Sequence, residues 1–462
     1  MKNKIAYLKK ILFIGFLLNS FNNVNAQCWQ YISCGDNHVL AIKNDGSLWA
    51  WGGNELGQLG NGQTTDQFSP IQIGNDKDWA KISAGQEYSL AIKNDGTLWA
   101  WGNNKNGQLG DGTTINKTVP SKIGSDADWQ LISAGFNHSL AIKVSGSLWA
   151  WGNNNNSQLG NSGGNMFYPI QVGIDTDWRL AGAGGSTSFQ HSVAIKKDGT
   201  LWQWGFLGGF LSGVPEQLGN EKIWEKLSVG SAHNLALKTD GSIWSWGSNW
   251  YGKLGTGSTG GSSDLPIKIS STNDWLEIAA GQDHSIAIKK DGSLWSWGRN
   301  IHGELGDGTK NDQSSAKKIG TELNWLSASA GNSFTIALNN EKKALASGSN
   351  LWGELGIGNS TAIEKLTPNS ISCGAVSIGN HLSKPIIKCY PNPLSGEDKL
   401  ILEIESLTAV REYTILNHAG RMVLTGSLYT PVSILSMKEL VPGFYKVLIE
   451  GVKSDLTFVV LK

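Results

Sequence analysis

Seven tryptophans at nearly equal intervals constrain this chain more than any other feature of its sequence. Consecutive members are 50, 50, 49, 46, 51 and 50 residues apart. A fixed period of this length is typical of repeat architectures, in which each unit buries its apolar face against its neighbours. The seven are Trp29, Trp79, Trp129, Trp178, Trp224, Trp275 and Trp325.

Each unit carries sequence patterns of β-strands. The runs H-S-L-A-I-K and L-W-A-W-G alternate, and an Asp-Gly pair such as Asp45-Gly46 separates them, which predicts a hairpin with a type I′ turn. The run P-x-x-I, as at Pro70 to Ile73, predicts an outer edge strand, where proline is tolerated. Four strands in each of seven units predict an all-β, seven-bladed β-propeller. We expect the small Ser-Ala-Gly strand at the crowded centre and the tryptophans in the wider layers between blades.

The full motif G-x-x-H-S-L-A-I-K-x-D-G-x-L-W-A-W-G-x-N-x-x-G-Q-L-G recurs in frame from residue 29 to about 372. It resembles the regulator of chromosome condensation repeat family, and the resemblance implies a seven-bladed propeller over residues 27–372. Members of that family include a nuclear guanine-nucleotide exchange factor and a plant ultraviolet-B photoreceptor, so the repeat alone does not define a function. The photoreceptor's G-W-R-H-T motif is absent, because these units read G-D-N-H-V, G-F-N-H-S or G-Q-D-H-S.

Residues 1–26 have the pattern of a secretory signal peptide. Four lysines precede the apolar run I-L-F-I-G-F-L-L, and Val24-Asn25-Ala26 predicts cleavage between Ala26 and Gln27. The apolar run is too short to anchor the chain in a bilayer, and no later segment predicts a transmembrane span. The protein is therefore expected outside the cell or on its outer surface, after passage through the periplasm.

Composition changes after the repeats. Residues 373–387 are predicted to be a linker, and the alternating runs of residues 388–462 predict a small Ig-like β-sandwich. Elements of this segment resemble the type IX secretion C-terminal sorting domain, which implies the type IX secretion machinery as a partner. The matching residues are Tyr390, Pro391, Asn392, Pro393, Gly420, Gly443, Tyr445 and Lys462.

Four cysteines leave the disulfide pattern open. They are Cys28, Cys34, Cys373 and Cys389, and export permits disulfides. A bridge between Cys28 and Cys373 would join the two ends of the propeller, and four free thiols are the alternative.

Charge and motifs argue against several function classes. The 38 basic and 38 acidic residues give zero net charge, so no strong attraction to nucleic acid is expected. No H-E-x-x-H or G-x-S-x-G motif is present, and the glycine-rich G-Q-L-G loops lack the lysine of a phosphate-binding loop. We therefore predict no cofactor, no metal and no catalytic residue.

Two recurring polar patterns have a metal-binding and a structural interpretation. One repeat position holds histidine in five units, but equivalent positions on separate blades are too far apart for one zinc ion. We predict structural histidines that bond neighbouring backbone. Asp-x-Asp-Trp, as at Asp76 to Trp79, could bind calcium, but a turn before the inner strand is favoured. The histidines are His38, His138, His191, His233 and His284, with Tyr88 and Phe334 in the remaining units.

Variation within the fixed repeat indicates a candidate binding site. Two residues after W-G-x-N are mainly polar in blades 1 to 3 and aromatic or apolar in blades 5 to 7. An aromatic arc on a scaffold suits carbohydrate stacking or a protein hot spot. The alternative is that these side chains pack on their own loops. The candidate residues are Trp250, Tyr251, Ile301, His302, Leu351 and Trp352.

Together these patterns predict a secreted or surface-displayed binding protein that presents loops to an extracellular glycan or protein ligand. An extracellular enzyme that acts on polysaccharide at the propeller axis is the first alternative, and carboxylates converging there would favour it. A mainly structural envelope component is the second alternative.

Overall fold

The computed structural model divides the chain into two compact units, Met1–Ala375 and Val376–Lys462. The described residues are 29–161, 163–371, 387–390, 394–395, 399–404, 411–417, 422–428, 432–436, 441, 443–449 and 452–461. The predicted signal peptide, its cleavage site at Ala26 and Gln27, and the bridge between Cys28 and Cys373 lie outside these residues.

The first unit contains seven four-stranded antiparallel sheets, each built from four strands that are consecutive in the chain. These are the predicted blades. Among the described residues of this unit, one 3-10 turn, Trp250–Gly252, lies in the fifth blade. The strands are β1–β4 (Trp29–Cys34, His38–Lys43, Leu48–Gly52, Gln67–Gln72), β5–β8 (Trp79–Ala84, Tyr88–Lys93, Leu98–Gly102, Lys117–Ile123), β9–β12 (Trp129–Ala134, His138–Lys143, Leu148–Gly152, Met166–Gln171), β13–β16 (Trp178–Ala183, Gln190–Lys196, Leu201–Leu207, Phe210–Gln217), β17–β20 (Trp224–Val229, His233–Lys238, Ile243–Ser248, Ser262–Lys268), β21–β24 (Trp275–Ala280, His284–Lys289, Leu294–Gly298, Gln313–Ile319) and β25–β28 (Trp325–Ala330, Phe334–Asn339, Ala344–Gly348, Ile363–Ile371).

The first strand of every blade lies at the axis, as the small Ser-Ala-Gly pattern predicts. Residues at the ends of these seven strands line one central cavity. A Cβ atom added at Gly35 would lie 2.3 Å from the carbonyl oxygen of Gly85 in the next blade. Blades therefore approach each other so closely at the axis that only glycine fits there.

The Asp-Gly hairpins form, but the predicted turn type is wrong. A type I′ turn needs positive φ at both central residues, whereas only Gly46 has it, at 78°. The amide of Gly46 donates to the carbonyl of Lys43 at 2.9 Å, and Lys43 N–H bonds to Ser47 at 3.1 Å. The loop is therefore a turn followed by a left-handed glycine, the arrangement of a G1 bulge. In blade 7 Lys342 takes the glycine's place with a φ of 57°.

The hydrophobic core is divided into layers between neighbouring blades. Leu40, Ile42 and Leu48 of blade 1 pack in one cluster with Trp79 and Trp101 of blade 2. A buried tryptophan removes roughly 150–250 Å² from water, which is worth about 4–6 kcal/mol. A single hydrogen bond contributes about 1 kcal/mol, so this packing dominates blade-to-blade cohesion.

Serine hydroxyls of the first strands join the blades around the axis. Ser33 Oγ accepts the N–H of Ala84 at 3.0 Å, and Ser83 Oγ accepts that of Ala134 at 2.9 Å. Each such bond satisfies an edge-strand N–H that would otherwise remain unpaired beside the axis. Gly182 and Ala279 occupy the serine position in blades 4 and 6.

The ring closes by repeating these contacts between blades 7 and 1, without exchange of a strand. Cys34 N–H donates to Ser329 Oγ at 3.0 Å. Trp51 Nε1 donates to the carbonyl of Glu354 at 2.8 Å, as Trp101 does to Gln58 at 2.9 Å. The closing contact is therefore equivalent to an internal one. Cys34, a buried free thiol, lies at this contact, and burial raises its pKa to about 12.

The described residues of the second unit form two sheets. Three strands pair in the order β29-β31-β34, and five pair in the order β30-β36-β35-β32-β33. Tyr390 ends β29, Gly443 begins β35, and the hydroxyl of the buried Tyr445 donates to the carbonyl of Val441 at 2.7 Å. Five residues of the predicted sorting motif lie outside the described residues: Pro391, Asn392, Pro393, Gly420 and Lys462. The strands are β29 (Ile387–Tyr390), β30 (Leu394–Ser395), β31 (Lys399–Ile404), β32 (Arg411–Asn417), β33 (Met422–Leu428), β34 (Val432–Ser436), β35 (Gly443–Ile449) and β36 (Val452–Leu461).

Candidate functional site

One face of the propeller carries both loops that vary between blades. His38, at the start of the second strand, pairs with Gly52 at the end of the third strand. The loop that precedes the second strand and the loop that follows the third therefore emerge at the same end of each blade. We call this end the loop face.

A buried asparagine shapes each long loop of this face. In blade 1 Asn54 Oδ1 accepts the N–H of Leu59 at 3.0 Å, and its Nδ2 donates to the carbonyls of Gln63 and Thr65, both at 3.1 Å. Asn104, Asn154, Asn249, Asn300 and Asn350 make the equivalent bond to the leucine. The residues between asparagine and leucine are consequently held in place by the fold.

The candidate arc of blades 5 to 7 is exposed on the loop face. Trp250 is 66% exposed and Leu351 is 70% exposed, while Tyr251, Ile301 and Trp352 are 39%, 44% and 37% exposed. These side chains are therefore not buried in their own loops. His302 is half-buried, and burial lowers its pKa, as do the charges of Arg299 and Lys310.

Each of these loops has two variable residues after W-G-x-N, and we call the second of them the second arc residue. In blade 5 this residue is Tyr251, and its backbone is held differently from that of its equivalents. In the other loops its N–H donates to a side-chain oxygen two residues later, as Leu56 does to Gln58 at 3.0 Å and Trp352 to Glu354 at 2.8 Å. Blade 5 has Lys253 at the acceptor position, and a lysine side chain accepts no hydrogen bond. Tyr251 has a φ of 62° and a ψ of 10°, whereas the equivalent residues have negative φ.

A charged cluster lies beside Tyr251, at the junction of blades 5 and 6. The buried Lys253 Nζ donates to Asp283 Oδ1 at 2.7 Å. Arg299 Nη1 is 3.7 Å from Asp283 Oδ2, and its guanidinium carbon is 5.3 Å from the centre of the Tyr251 ring. No single signal in the sequence indicates this cluster, because its members come from three loops.

The axial cavity opens among the loops that precede the second strands and has a volume of about 90 Å³. Asp36 is the one acidic residue in its lining, beside Gln86, Phe136, Ser231 and Gln282. Burial raises the pKa of Asp36 to about 7, with a further contribution from the charge of Glu87. Glu87 is outside the lining and accepts a hydrogen bond from Asn103 at 3.0 Å.

The five repeated histidines join neighbouring blades. His38 Nε2 lies 3.0 Å from Ser89 Oγ, whose hydroxyl donates to the carbonyl of Gln58 at 2.7 Å. Because that hydroxyl proton is already used, Nε2 of His38 is the donor. The predicted role in the fold is thus observed, but the partner is a side chain of the next blade rather than backbone. Burial lowers the pKa of His38 and His138 to about 3.

The Asp-x-Asp-Trp motif binds a lysine of its own blade. Lys93 Nζ lies 2.6 Å from Asp76 and 3.1 Å from Asp78, and it is 4.8 Å from the ring centres of both Trp79 and Trp99. The prediction of a turn missed this ion pair. The signal was present in the sequence, because the lysine of H-S-L-A-I-K accompanies the two aspartates in blades 2 to 4.

The described residues contain no group of three or more His, Cys, Asp or Glu side chains placed to hold a metal ion. In the same part of the chain, no helix is long and apolar enough to cross a membrane.

Sequence comparison identifies the repeats. Profiles of the regulator of chromosome condensation (RCC1) repeat match residues 45–92, 95–142, 240–288 and 291–338. A second profile of the same repeat matches residues 29–58, 79–108, 129–158, 224–253 and 275–304, and together the matches cover more than half of the chain.

Curated relatives match only in part. A segment of 71 residues is 38% identical to the probable E3 ubiquitin-protein ligase HERC6 of Homo sapiens, covering 15% of this chain and 7% of the relative. A segment of 143 residues is 29% identical to the ultraviolet-B receptor UVR8 of Arabidopsis thaliana, covering 28% of this chain and 32% of the relative. The chain thus spans less than a third of the length of the HERC6 and UVR8 relatives.

Solved structures share the fold. Prp20p of Saccharomyces cerevisiae superimposes with a TM-score of 0.60 at 21% identity, over 68% of this chain and 84% of that one. Human WBSCR16 gives a TM-score of 0.59 at 20% identity, over 68% and 87%. Their similarity shows the architecture alone. With the profile matches, the seven-bladed ring shows that this chain belongs to the family of RCC1 repeat proteins.

Proposed function

We propose that this protein is a secreted or surface-displayed binding protein whose loop face holds an extracellular glycan or protein ligand. The observation that carries the proposal is the exposed arc of blades 5 to 7, centred on Trp250, Tyr251 and Trp352. Exposed aromatic side chains on a fixed scaffold are typical of interaction sites, since their burial on binding supplies much of the affinity. Prp20p, which shares the fold, was described with binding properties toward Gsp1p and histones, so the scaffold is compatible with partner binding.

A binding screen with matched variants tests this proposal. The purified chain is screened against polysaccharides and envelope proteins, beside a variant with Trp250→Ala, Tyr251→Ala and Trp352→Ala. The control carries Glu55→Ala, Lys105→Ala and Asn155→Ala, which change exposed residues of equivalent loops in blades 1 to 3. We expect a ligand that the control retains and the arc variant loses. A ligand retained by both would place binding elsewhere and contradict the proposal.

The export route is part of the same proposal. The N-terminal signal pattern, the motif residues Tyr390, Gly443 and Tyr445, and the two sheets of the second unit support a type IX sorting domain with an Ig-like sandwich fold. In a host with type IX secretion, we expect the protein in the medium or on the surface, with Gln27 as its first residue. Truncation before Ile387 is expected to leave the propeller in the periplasm, and unchanged export of the truncated chain would contradict this route.

An extracellular enzyme acting on polysaccharide at the axis is the second candidate. Asp36 favours it, because a cavity carboxyl with a pKa of about 7 is about half protonated at neutral pH and suits a general acid. Glycoside hydrolysis usually needs two carboxyl groups, and the cavity lining has one, so this candidate ranks second. Release of reducing ends from a polysaccharide, abolished by Asp36→Asn and unaffected by the arc variant, would favour it over binding.

A further inference from the structure

The charged cluster at the junction of blades 5 and 6 identifies a ligand class for the proposed binding site. We infer that this junction is a subsite for a carboxylate-bearing sugar, in which Tyr251 stacks on the sugar ring and Arg299 binds the carboxylate. Lys253 is a positioning residue for both. The inference rests on the proposed function, since it assigns chemistry to one end of the same arc.

Lys253 changes the course of its loop. In the other five loops of this kind, a Gln or Glu side chain accepts the N–H of the second arc residue and holds that residue at negative φ. Tyr251 has no such acceptor and takes a left-handed conformation, with a φ of 62° and a ψ of 10°. A bulky residue rarely adopts this conformation, and such outliers concentrate at functional sites.

Lys253 also determines which cation of the cluster can bind a carboxylate of the ligand. Its ammonium group is buried and lies 2.7 Å from Asp283, so this pair is mutually neutralised. Arg299 Nη1 is 3.7 Å from the same carboxylate, beyond hydrogen-bonding distance, and Arg299 Nε is buried without a hydrogen-bond partner. The guanidinium, which also interacts with the charge of Glu304, is the group that binds carboxylates best.

The junction is distinct from its equivalents around the ring. The positions of Lys253, Asp283 and Arg299 correspond to Gln58, Glu87 and Asn103 between blades 1 and 2. Between blades 2 and 3 they are Gln108, Asn137 and Asn153. Because all junctions share the fold, a charge arrangement confined to one of them is not required by the fold.

The mixture of groups favours a sugar over an acidic peptide. A sugar presents an apolar ring face and hydroxyls that both donate and accept, so its site needs aromatic rings, donors and acceptors. Tyr251 and the exposed Trp250 supply the rings, and Arg299 supplies donors. The hydroxyl of Tyr251 can both donate and accept. A glutamate side chain of an acidic peptide would use only the hydrogen-bond donors of the site and leave the aromatic rings and the acceptor unused.

The test is calorimetric titration of the purified full chain with oligogalacturonate, beside neutral dextran oligomers and an oligoglutamate peptide. We expect oligogalacturonate alone to bind, with an affinity that falls as salt is raised. Arg299→Gln is expected to weaken binding at least about tenfold, because it removes a charge-assisted contact. Lys105→Gln, which removes an exposed cation from the loop of blade 2, is the control and is expected to bind normally.

Lys253→Gln separates positioning from folding. The introduced amide oxygen is expected to accept the N–H of Tyr251, so a crystal structure should show negative φ at Tyr251 with the rest of the blade unchanged. Binding of oligogalacturonate should fall about as much as in Arg299→Gln. Unchanged affinity in a folded Lys253→Gln variant would contradict the positioning role, and a Tyr251 that keeps its positive φ would contradict the turn mechanism.

The other outcomes are equally decisive. Equal binding of oligoglutamate would show a site for carboxylates in general, and equal binding of dextran would show no role for charge, so either result overturns the inference. A ligand from the wider screen that depends on the arc, without binding of oligogalacturonate, would overturn the sugar assignment and leave the proposed function standing. The absence of any arc-dependent ligand would overturn both.

Discussion

The ammonium group of Lys93 lies 2.6 Å from the carboxylate of Asp76, although the lysine side chain is buried and the aspartate is half exposed. Burial alone would lower the pKa of Lys93, but the carboxylates of Asp76 and Asp78 outweigh burial and raise it. A lysine whose pKa is raised by folding stabilises the protein at pH values below its unfolded pKa of about 10. The ion pair is therefore fully effective at neutral pH.

Removal of both carboxylates should destabilise blade 2. The double change Asp76→Asn and Asp78→Asn leaves a buried ammonium group between two tryptophans without an anion. We expect the free energy of unfolding to fall by about 1–2 kcal/mol, less than for a fully buried pair because the aspartates are half exposed. Denaturant unfolding at pH 7 measures this change. Glu341→Gln, in the exposed pair with Lys343, should change stability by less than about 0.5 kcal/mol.

The buried histidines should make the free energy of unfolding fall in mild acid. Burial lowers the pKa of His38 and His138 to about 3 and of His191 and His284 to about 4, while unfolded histidine titrates near 6.5. The unfolded chain therefore binds more protons than the folded chain below about pH 6.5. Stability should be unaffected above this pH and should be lost as the pH falls, by about 1.4 kcal/mol per unit for each histidine.

The variant His138→Phe removes one of the histidines that take up a proton on unfolding, so it measures the contribution of that histidine. Phe334 occupies the same position in blade 7, so the repeat accommodates this side chain. The free energy of unfolding, measured with denaturant between pH 7 and 5, should depend less steeply on pH than in the parent chain. The difference in slope should approach the uptake of one proton on unfolding. An identical slope would show that His138 is not kept neutral by burial.

Ala279→Ser should stabilise the propeller. Serine at this position accepts an N–H of the next blade in other units, as Ser228 does from Ala280 at 2.9 Å. By the repeat geometry, a hydroxyl on residue 279 would accept the N–H of Ala330. We expect a gain of about 0.5–1 kcal/mol in the free energy of unfolding. The reverse change, Ser228→Ala, should cost a similar amount, and a stabilising effect of Ser228→Ala would contradict this account.

Tyr251→Gly should increase stability while it weakens binding. A residue with a Cβ atom loses about 1–2 kcal/mol in the left-handed region, and glycine does not. Leu56→Gly, at the equivalent position of blade 1 with ordinary φ, should instead cost about 0.5–1 kcal/mol. Thermal unfolding of both variants checks the opposite signs, and equal signs would argue against strain at Tyr251.

The propeller was predictable because its determinants are local and repeated seven times. The interval between Trp79 and Trp129 and the repeated strand and turn patterns of each unit are visible in the sequence. The turn type was not, because Asp45 keeps negative φ and only Gly46 is left-handed, and the Asp-Gly pair alone does not distinguish the two turns.

The candidate site was only partly predictable. The aromatic character of Trp250 and Trp352 is a property of the sequence, and their exposure follows from the loops that carry them. The relation of Lys253 to Asp283 joins two blades across 30 residues. It therefore depends on how the blades are arranged in space, which no local pattern encodes.

Each blade consists of four consecutive strands, and the contact that closes the ring repeats the internal contacts. One blade of this ring is therefore encoded by one continuous stretch of the gene. Duplication or loss of one repeat would add or remove a complete blade whose two sides already match their neighbours. Rings of different size are then accessible by single genetic events, and each blade can change its loops independently while the scaffold persists.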